Sequence, residues 1–157
     1  MRGVFEVPTQ RRVIAKLLGE LLVERKLLTP EQLAEGLKVQ QKQGGLLGQI
    51  LVSLGYTTEE VVAQALASQY GFPYLPLQRY TIDGDLLQLI PENVARQYCL
   101  VPVDRIGDTV TIAMADPLNT KAVEDIEMIS HCTVQVFVAT ISDVMEAIGR
   151  SYGVHHA

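Results

Sequence analysis

Three histidines and two cysteines are the residues best equipped for nucleophilic or metal chemistry in this 157-residue chain, and their spacing speaks against both roles. His131 adjoins Cys132, which fits a loop entering a strand better than a nucleophile with its base. Cys99 stands far from Cys132 with no C-x-x-C spacing, so both read as small buried thiols of a reducing cytoplasm rather than as a disulfide or a metal pair. His155 and His156 lie in the tail, without the helical H-x-x-x-H spacing of a zinc site. Carboxylates are plentiful, yet Glu124, Asp125 and Glu127 spread around a helix as a solvated face would. The chain has no G-x-x-x-x-G-K-[ST] loop to cradle phosphates, no G-x-G-x-x-G opening a helix after a strand, and no G-x-S-x-G elbow. These absences point away from an enzyme and from a resident metal or cofactor.

Binding chemistry is better represented. Residues 17–40 and 46–69 are gapless copies, identical at ten of twenty-four positions and joined by a five-residue spacer, 41–45. The pattern L-L-G-x-x-L-V, then T-x-E-x-x-A-x-x-L-x-x-Q, recurs at a strict 29-residue period. Such a period is a duplicated helix pair, and two tandem copies suit a ligand or partner with two similar halves.

The elements that must position these residues are legible from caps and periodicity. Thr29, Pro30 and Gln32 make a T-P-x-Q helix start; Thr58 takes the same place in the second copy, with Glu59 and Glu60 in the first turn where the helix dipole favours them. Gly44, Gly55 and Gly71 read as stops. Helices are expected near 13–25, 30–43, 46–54 and 59–70. In each copy an apolar pair one turn apart, Leu33 with Leu37 and Val62 with Leu66, continues to a glutamine, Gln40 or Gln69. Residues 71–81 carry two prolines and read as an extended crossing, with a helix returning at 91–98. Strands are expected at 100–104 and 109–114 around a turn at 106–108, then a helix at 120–129 and a strand at 133–138, which together make a βαβ unit. Ser142 or Thr140 caps a closing helix that runs to about Tyr152 and stops at Gly153.

The expected fold class is therefore α+β: a four-helix bundle of two duplicated hairpins, then a small α/β subdomain with a short mixed sheet. The domains are read as 11–71 and 72–153, with 1–10 and 154–157 as flexible termini. The chain is long enough to bury a core without staples. Its longest uncharged stretch, 61–78, is too polar and too broken by proline for a bilayer helix, and Glu6 with Pro8 breaks up any signal peptide at residues 1–10. The net charge is -5, divided as +3 over residues 1–45 (eight Lys and Arg against five acids) and -8 over the remainder (five against thirteen). That balance argues against DNA or RNA binding, which needs a broad basic surface, and leaves room for a small anion at the basic end.

The doubled L-G-x-x-L and L-x-x-x-L-x-x-Q phrases, with Val62 for one leucine, resemble the N-terminal domain of type II secretion and type IV pilus assembly ATPases, most closely its MshEN variety. The later phrases ARQYCLVPV, VTIAMADP and AIGRSYG are similar to that family's second subdomain, so the resemblance covers nearly all of residues 13–153. It implies a non-catalytic cytoplasmic regulatory domain, peripheral to the inner membrane only through partners, that binds cyclic di-GMP and contacts a motor ATPase domain and a membrane-platform protein. The implied binding surface comprises Leu18, Gly19, Leu22, Leu33, Leu37 and Gln40, with Leu47, Gly48, Leu51, Val62, Leu66 and Gln69. Apolar side chains would cover purine faces, and the glycines would admit the ligand close to backbone. Asp116 matches a position whose carboxylate accepts hydrogen bonds from a guanine edge; a turn or cap role is the alternative. The chain departs from the family at Leu17 and Leu46, where arginine is usual, and at Lys26, where the first motif's second glycine would be. Arg11, Arg12 and Lys16 are the cations at hand to replace the missing charge. The departures carry a second reading, a docking module of the same system that has lost the nucleotide.

Overall fold

Caps and left-handed residues punctuate the helices of the doubled segment in a computed structural model that describes residues 18–155. Helix α1 is described over residues 18–24; its expected start at 13 and the expected flexible segment 1–10 lie outside the described residues. Helix α2, Pro30–Gln43, opens on a complete capping box, in which Gln32 N–H donates to Thr29 Oγ1 at 3.1 Å and Thr29 N–H donates to Gln32 Oε1 at 3.0 Å. Helices α3, Leu47–Ser53, and α4, Glu59–Tyr70, follow, and Thr58 Oγ1 accepts the Val61 N–H at 3.2 Å. Gly44, Gly55 and Gly71 come after α2, α3 and α4 with φ of 73°, 81° and 76°, a turn that glycine makes without Cβ strain. Lys26 adopts the same conformation, φ 61°, at the place in the first copy that Gly55 holds in the second.

The chain divides into two compact units, Met1–Ala65 and Leu66–Ala157, so that α4 begins in one and ends in the other. Leucines supply most of the first unit's core: Leu18, Leu21, Leu22, Leu28, Leu47 and Leu51 are buried there with Ala63 and Ala65. In a helix pair of this length such burial, rather than intrinsic propensity, is the main source of stability.

The second unit is built on a three-stranded mixed sheet in the order β1-β2-β3, with β1 at Leu100–Ile106, β2 at Thr109–Met114 and β3 at Thr133–Val138. Strands β1 and β2 pair antiparallel from Ile106↔Thr109 through Leu100↔Met114, and Gly107, φ 60°, opens the two-residue loop between them as hairpin twist requires. Strands β2 and β3 pair in parallel, Thr109↔Thr133 through Met114↔Val138, and the connection between them carries helix α7, Thr120–Ser130. The mixed sheet and its βαβ unit are those the sequence implies. Helix α6, Glu92–Tyr98, and helix α8, Ile141–His155, contribute to a core that includes Ile90, Ala95, Ile112, Met114, Ile126, Val144 and Ile148.

Two segments depart from the sequence reading. The stretch expected to be an extended crossing, 71–81, holds a 3-10 turn at Leu77–Arg79, followed by the short helix α5 at Gly84–Leu87. Arg150 reaches back some seventy residues to donate from Nη2 to the carbonyls of Leu77, at 2.8 Å, and Tyr80, at 3.2 Å. No local pattern announces such a partner. Residues 73–75 pair with β3 as a strand would: Leu75 N–H donates to Val138 O and Val138 N–H to Pro73 O, each at 2.8 Å. The second departure is at Gly153, which does not end the last helix; α8 runs through it to His155. Tyr152 is buried and donates its hydroxyl to Ile90 O at 2.7 Å, fastening that turn to the core. At the other end Thr140, not Ser142, is the cap, its Oγ1 accepting the Asp143 N–H at 3.1 Å. No helix among the described residues is long and apolar enough to cross a membrane.

Candidate functional site

Within the first unit each hairpin closes on a glycine. A Cβ on Gly48 of α3 would lie 2.8 Å from Val62 Cγ1 on α4, and a Cβ on Gly19 of α1 would lie closer still to Leu33 Cδ1 on α2. Gly19 and Gly48 are twenty-nine residues apart, as are Leu33 and Val62, so the sequence repeat is also a repeat of contacts. The two hairpins meet at a third glycine: a Cβ on Gly36 would lie 2.6 Å from Leu51 Cδ2 and 3.3 Å from Leu47 Cδ1. Leu18 of the first copy in turn reaches Gly48 of the second, its Cδ2 3.5 Å from the same notional atom. The room each glycine leaves is thus filled from inside the repeats, and the glycines set how closely the helices approach.

The thirteen candidate residues fall into three environments. Leu22 and Leu51 are fully buried, Leu18, Leu47 and Leu66 nearly so, and Gly19 and Gly48 are covered. Leu33, Leu37 and Val62 are half-buried, each with part of its apolar surface in water. Gln40 is buried and Gln69 exposed, although they hold the same motif position. Gln40 Nε2 donates to Gly45 O at 2.9 Å. Asp116 is half-buried in the turn before α7, where its carbonyl accepts the Asn119 N–H at 3.2 Å. The helix cap itself is Asn119, whose Oδ1 accepts the Ala122 N–H at 3.2 Å. Leu46 is half-buried at the N-cap of α3, where its side chain makes no capping hydrogen bond. Leu17, Arg11, Arg12 and Lys16 lie outside the described residues.

No motif singles out Tyr56, which lies where the first copy has Leu27. A hydrogen bond with Glu35 holds the Tyr56 phenol above its ordinary pKa, with partial burial and the carboxylate's charge adding to the effect. Elsewhere the acids of α7 are more occupied than a solvated face would be. Asp125 accepts from Tyr98 and pairs with Lys121 at 3.6 Å, and Glu127 Oε2 accepts the Val134 N–H at 3.2 Å. The Tyr98 hydrogen bond lowers the pKa of Asp125, Lys121 adds to that, and the same bond raises Tyr98. His131 is exposed at the left-handed C-cap of α7, φ 58°, and buried Cys132 places its Sγ 3.4 Å from Ser130 O. That pair is therefore the junction between helix and strand. Neither cysteine forms a disulfide, and no cluster of potential metal ligands occurs among the described residues.

Doubled helical hairpins followed by a mixed sheet with one βαβ unit define a class of small α+β domain already represented among solved structures. A structure described as MshE with cdg shares it with a TM-score of 0.74 and 33% identity, covering 86% of this chain and 98% of that one. The N-terminal domain of XpsE shares the fold with a TM-score of 0.69 at 21% identity, over 87% of this chain and 94% of that one. The MshEN domain family matches residues 70–157, more than half of the chain, and the chain belongs to that family. It is also 36% identical over 135 residues to the type IV pilus assembly ATPase PilB of Myxococcus xanthus, a match that covers 86% of this chain but only 24% of that ATPase. The chain thus spans about a quarter of that relative's length.

Proposed function

We propose that this chain is a non-catalytic regulatory domain of a type IV pilus assembly or type II secretion system, and that its doubled hairpins bind cyclic di-GMP. The observation that carries the proposal is the repetition of the Gly19–Leu33 contact as Gly48–Val62. It supports a ligand with two similar halves, since each hairpin offers a half-buried apolar side chain, Leu33 or Val62, at the same motif position. The described relative MshE with cdg, 33% identical over almost its whole length, supports the same ligand.

In this reading the motif residues divide the work. Leu18, Gly19, Leu22, Leu47, Gly48, Leu51 and Leu66, all buried, form the framework. Leu33, Leu37 and Val62 present apolar surface to purine faces, and the exposed Gln69 offers an amide with both donors and an acceptor. The domain acts in the cytoplasm, and its partners are the motor ATPase domain and the membrane-platform protein of the same system.

Titration calorimetry with cyclic di-GMP tests the reading. Binding with a dissociation constant well below about 100 μM is expected, equivalent to more than roughly 5 kcal/mol. Leu37→Asp puts a charge on the half-exposed stripe of α2 and should weaken binding at least tenfold while leaving the circular dichroism unchanged. The absence of heat and of thermal shift with the native chain would favour the second reading, a docking module without nucleotide. Leu46 favours that alternative, since an apolar side chain at the N-cap of α3 can neutralise no phosphate.

A further inference from the structure

Gln40 is a polar side chain only 3% exposed at the end of α2, and a buried amide requires a partner. It has one on the far side of the spacer: Nε2 donates to Gly45 O at 2.9 Å. Its backbone holds the same turn, since the Gly44 N–H donates to Gln40 O at 2.7 Å. Gly44 and Gly45 both take positive φ, 73° and 96°, which glycine adopts without Cβ strain but at a large cost in conformational entropy that a side-chain clasp helps to offset. Immediately beyond Gly45 come Leu46, the N-cap of α3, and then Leu47 and Gly48 of the second motif. Twenty-nine residues later Gln69 holds the same motif position, but its side chain is exposed.

We infer that Gln40 is a positioning residue: by clasping Gly45 it fixes where the second motif starts relative to the first, and so sets the spacing between the two half-sites. The two glutamines of the motif are then unequal, Gln40 facing the spacer and Gln69 facing outward. This rests on the cyclic di-GMP reading for its effect on affinity, whereas the clasp itself can be tested without ligand.

The test compares Gln40→Met, which keeps the length of the side chain and loses its donors, with Gln69→Met in the full chain. Hydrogen exchange is read at Gly44, which donates to Gln40 O, and at Ile50, which donates to Leu46 O at 3.1 Å; Val144, bonded to Thr140 O, serves as the distant control. Gln40→Met should speed exchange at Gly44 and Ile50 at least tenfold with Val144 unchanged, and should weaken cyclic di-GMP binding at least tenfold in calorimetry. Gln69→Met should leave exchange at all three amides as it was. Insertion of one glycine between Gly44 and Gly45 shifts the second motif with Gln40 intact, so it should weaken binding comparably and decides the matter if Gln40→Met fails to fold. Native exchange at Gly44 and Ile50 in Gln40→Met, or native affinity in the insertion variant, would overturn the positioning role. Failure of the unaltered chain to bind cyclic di-GMP would instead sink the functional reading, with the exchange comparison still deciding what Gln40 does.

Discussion

Gly48 and Val62 approach so closely across the second hairpin that an added Cβ would lie 2.8 Å from the valine's Cγ1. The glycine costs α3 about 1 kcal/mol of helix propensity relative to alanine, and the approach of α4 is what it permits. Its counterpart Gly19 faces the tip of a leucine rather than a branched Cβ, and from that difference an unequal response follows. In Gly19→Ala the flexible end of Leu33 can swing aside, so the gain in propensity offsets the crowding and stability should change by less than about 0.5 kcal/mol. In Gly48→Ala the stiff χ1 of Val62 leaves little room to move, and a net loss of about 1–2 kcal/mol is expected. Urea denaturation of the two variants checks this; equal losses would refute the packing account of Gly48.

Lys26 should be replaceable to advantage. It is held at φ 61° where the second copy has Gly55 at 81°, and a residue with a Cβ in that region is strained by about 1 kcal/mol. Lys26→Gly is expected to raise stability by up to about 0.5 kcal/mol after allowance for glycine's larger unfolded entropy, and Gly55→Lys to lower it by a similar amount. Chemical denaturation midpoints moving in opposite directions would bear this out, whereas movement in the same direction would contradict it.

Tyr152 gives the second unit an alkaline limit. Burial, with the charge of Glu92 adding to it, pushes its phenol up to about 12 from an ordinary 10.0. Because the folded state holds this proton more tightly, its stabilising effect is complete below pH 10 and is lost as pH rises through about 12. The slope over that window should be about 1.4 kcal/mol per pH unit. Tyr152→Phe should remove this part of the pH dependence and lower stability at pH 7 by about 1–3 kcal/mol, because Ile90 O loses its donor. Unfolding followed in urea between pH 8 and 12 would show it.

Much of the fold was legible because local chemistry and tertiary structure agree. Thr29 with Gln32, Thr58 and the glycines after α2, α3 and α4 are signals carried by the residues at the boundary itself. The paired strands and α7 were legible for the same reason. What escaped was decided at a distance: the turn at Leu77–Arg79 depends on Arg150, and the continuation of α8 past Gly153 on the bond from Tyr152 to Ile90. Left-handed Lys26, Cys99 and His131 escaped because none is glycine. The candidate site was legible as a period but not as environments. Gln40 and Gln69 are identical letters in identical motifs, and only the fold buries one while exposing the other.

The central claim is that the doubled hairpins receive one two-lobed nucleotide, and amide chemical-shift mapping of the isotope-labelled chain during titration with cyclic di-GMP tests it most directly. The account predicts saturation at one ligand per chain, with the largest shifts in two sets related by twenty-nine residues, around Leu33 to Gln40 and around Val62 to Gln69. Shifts confined to a single repeat or to the sheet of the second unit, or no shifts at all, would contradict it.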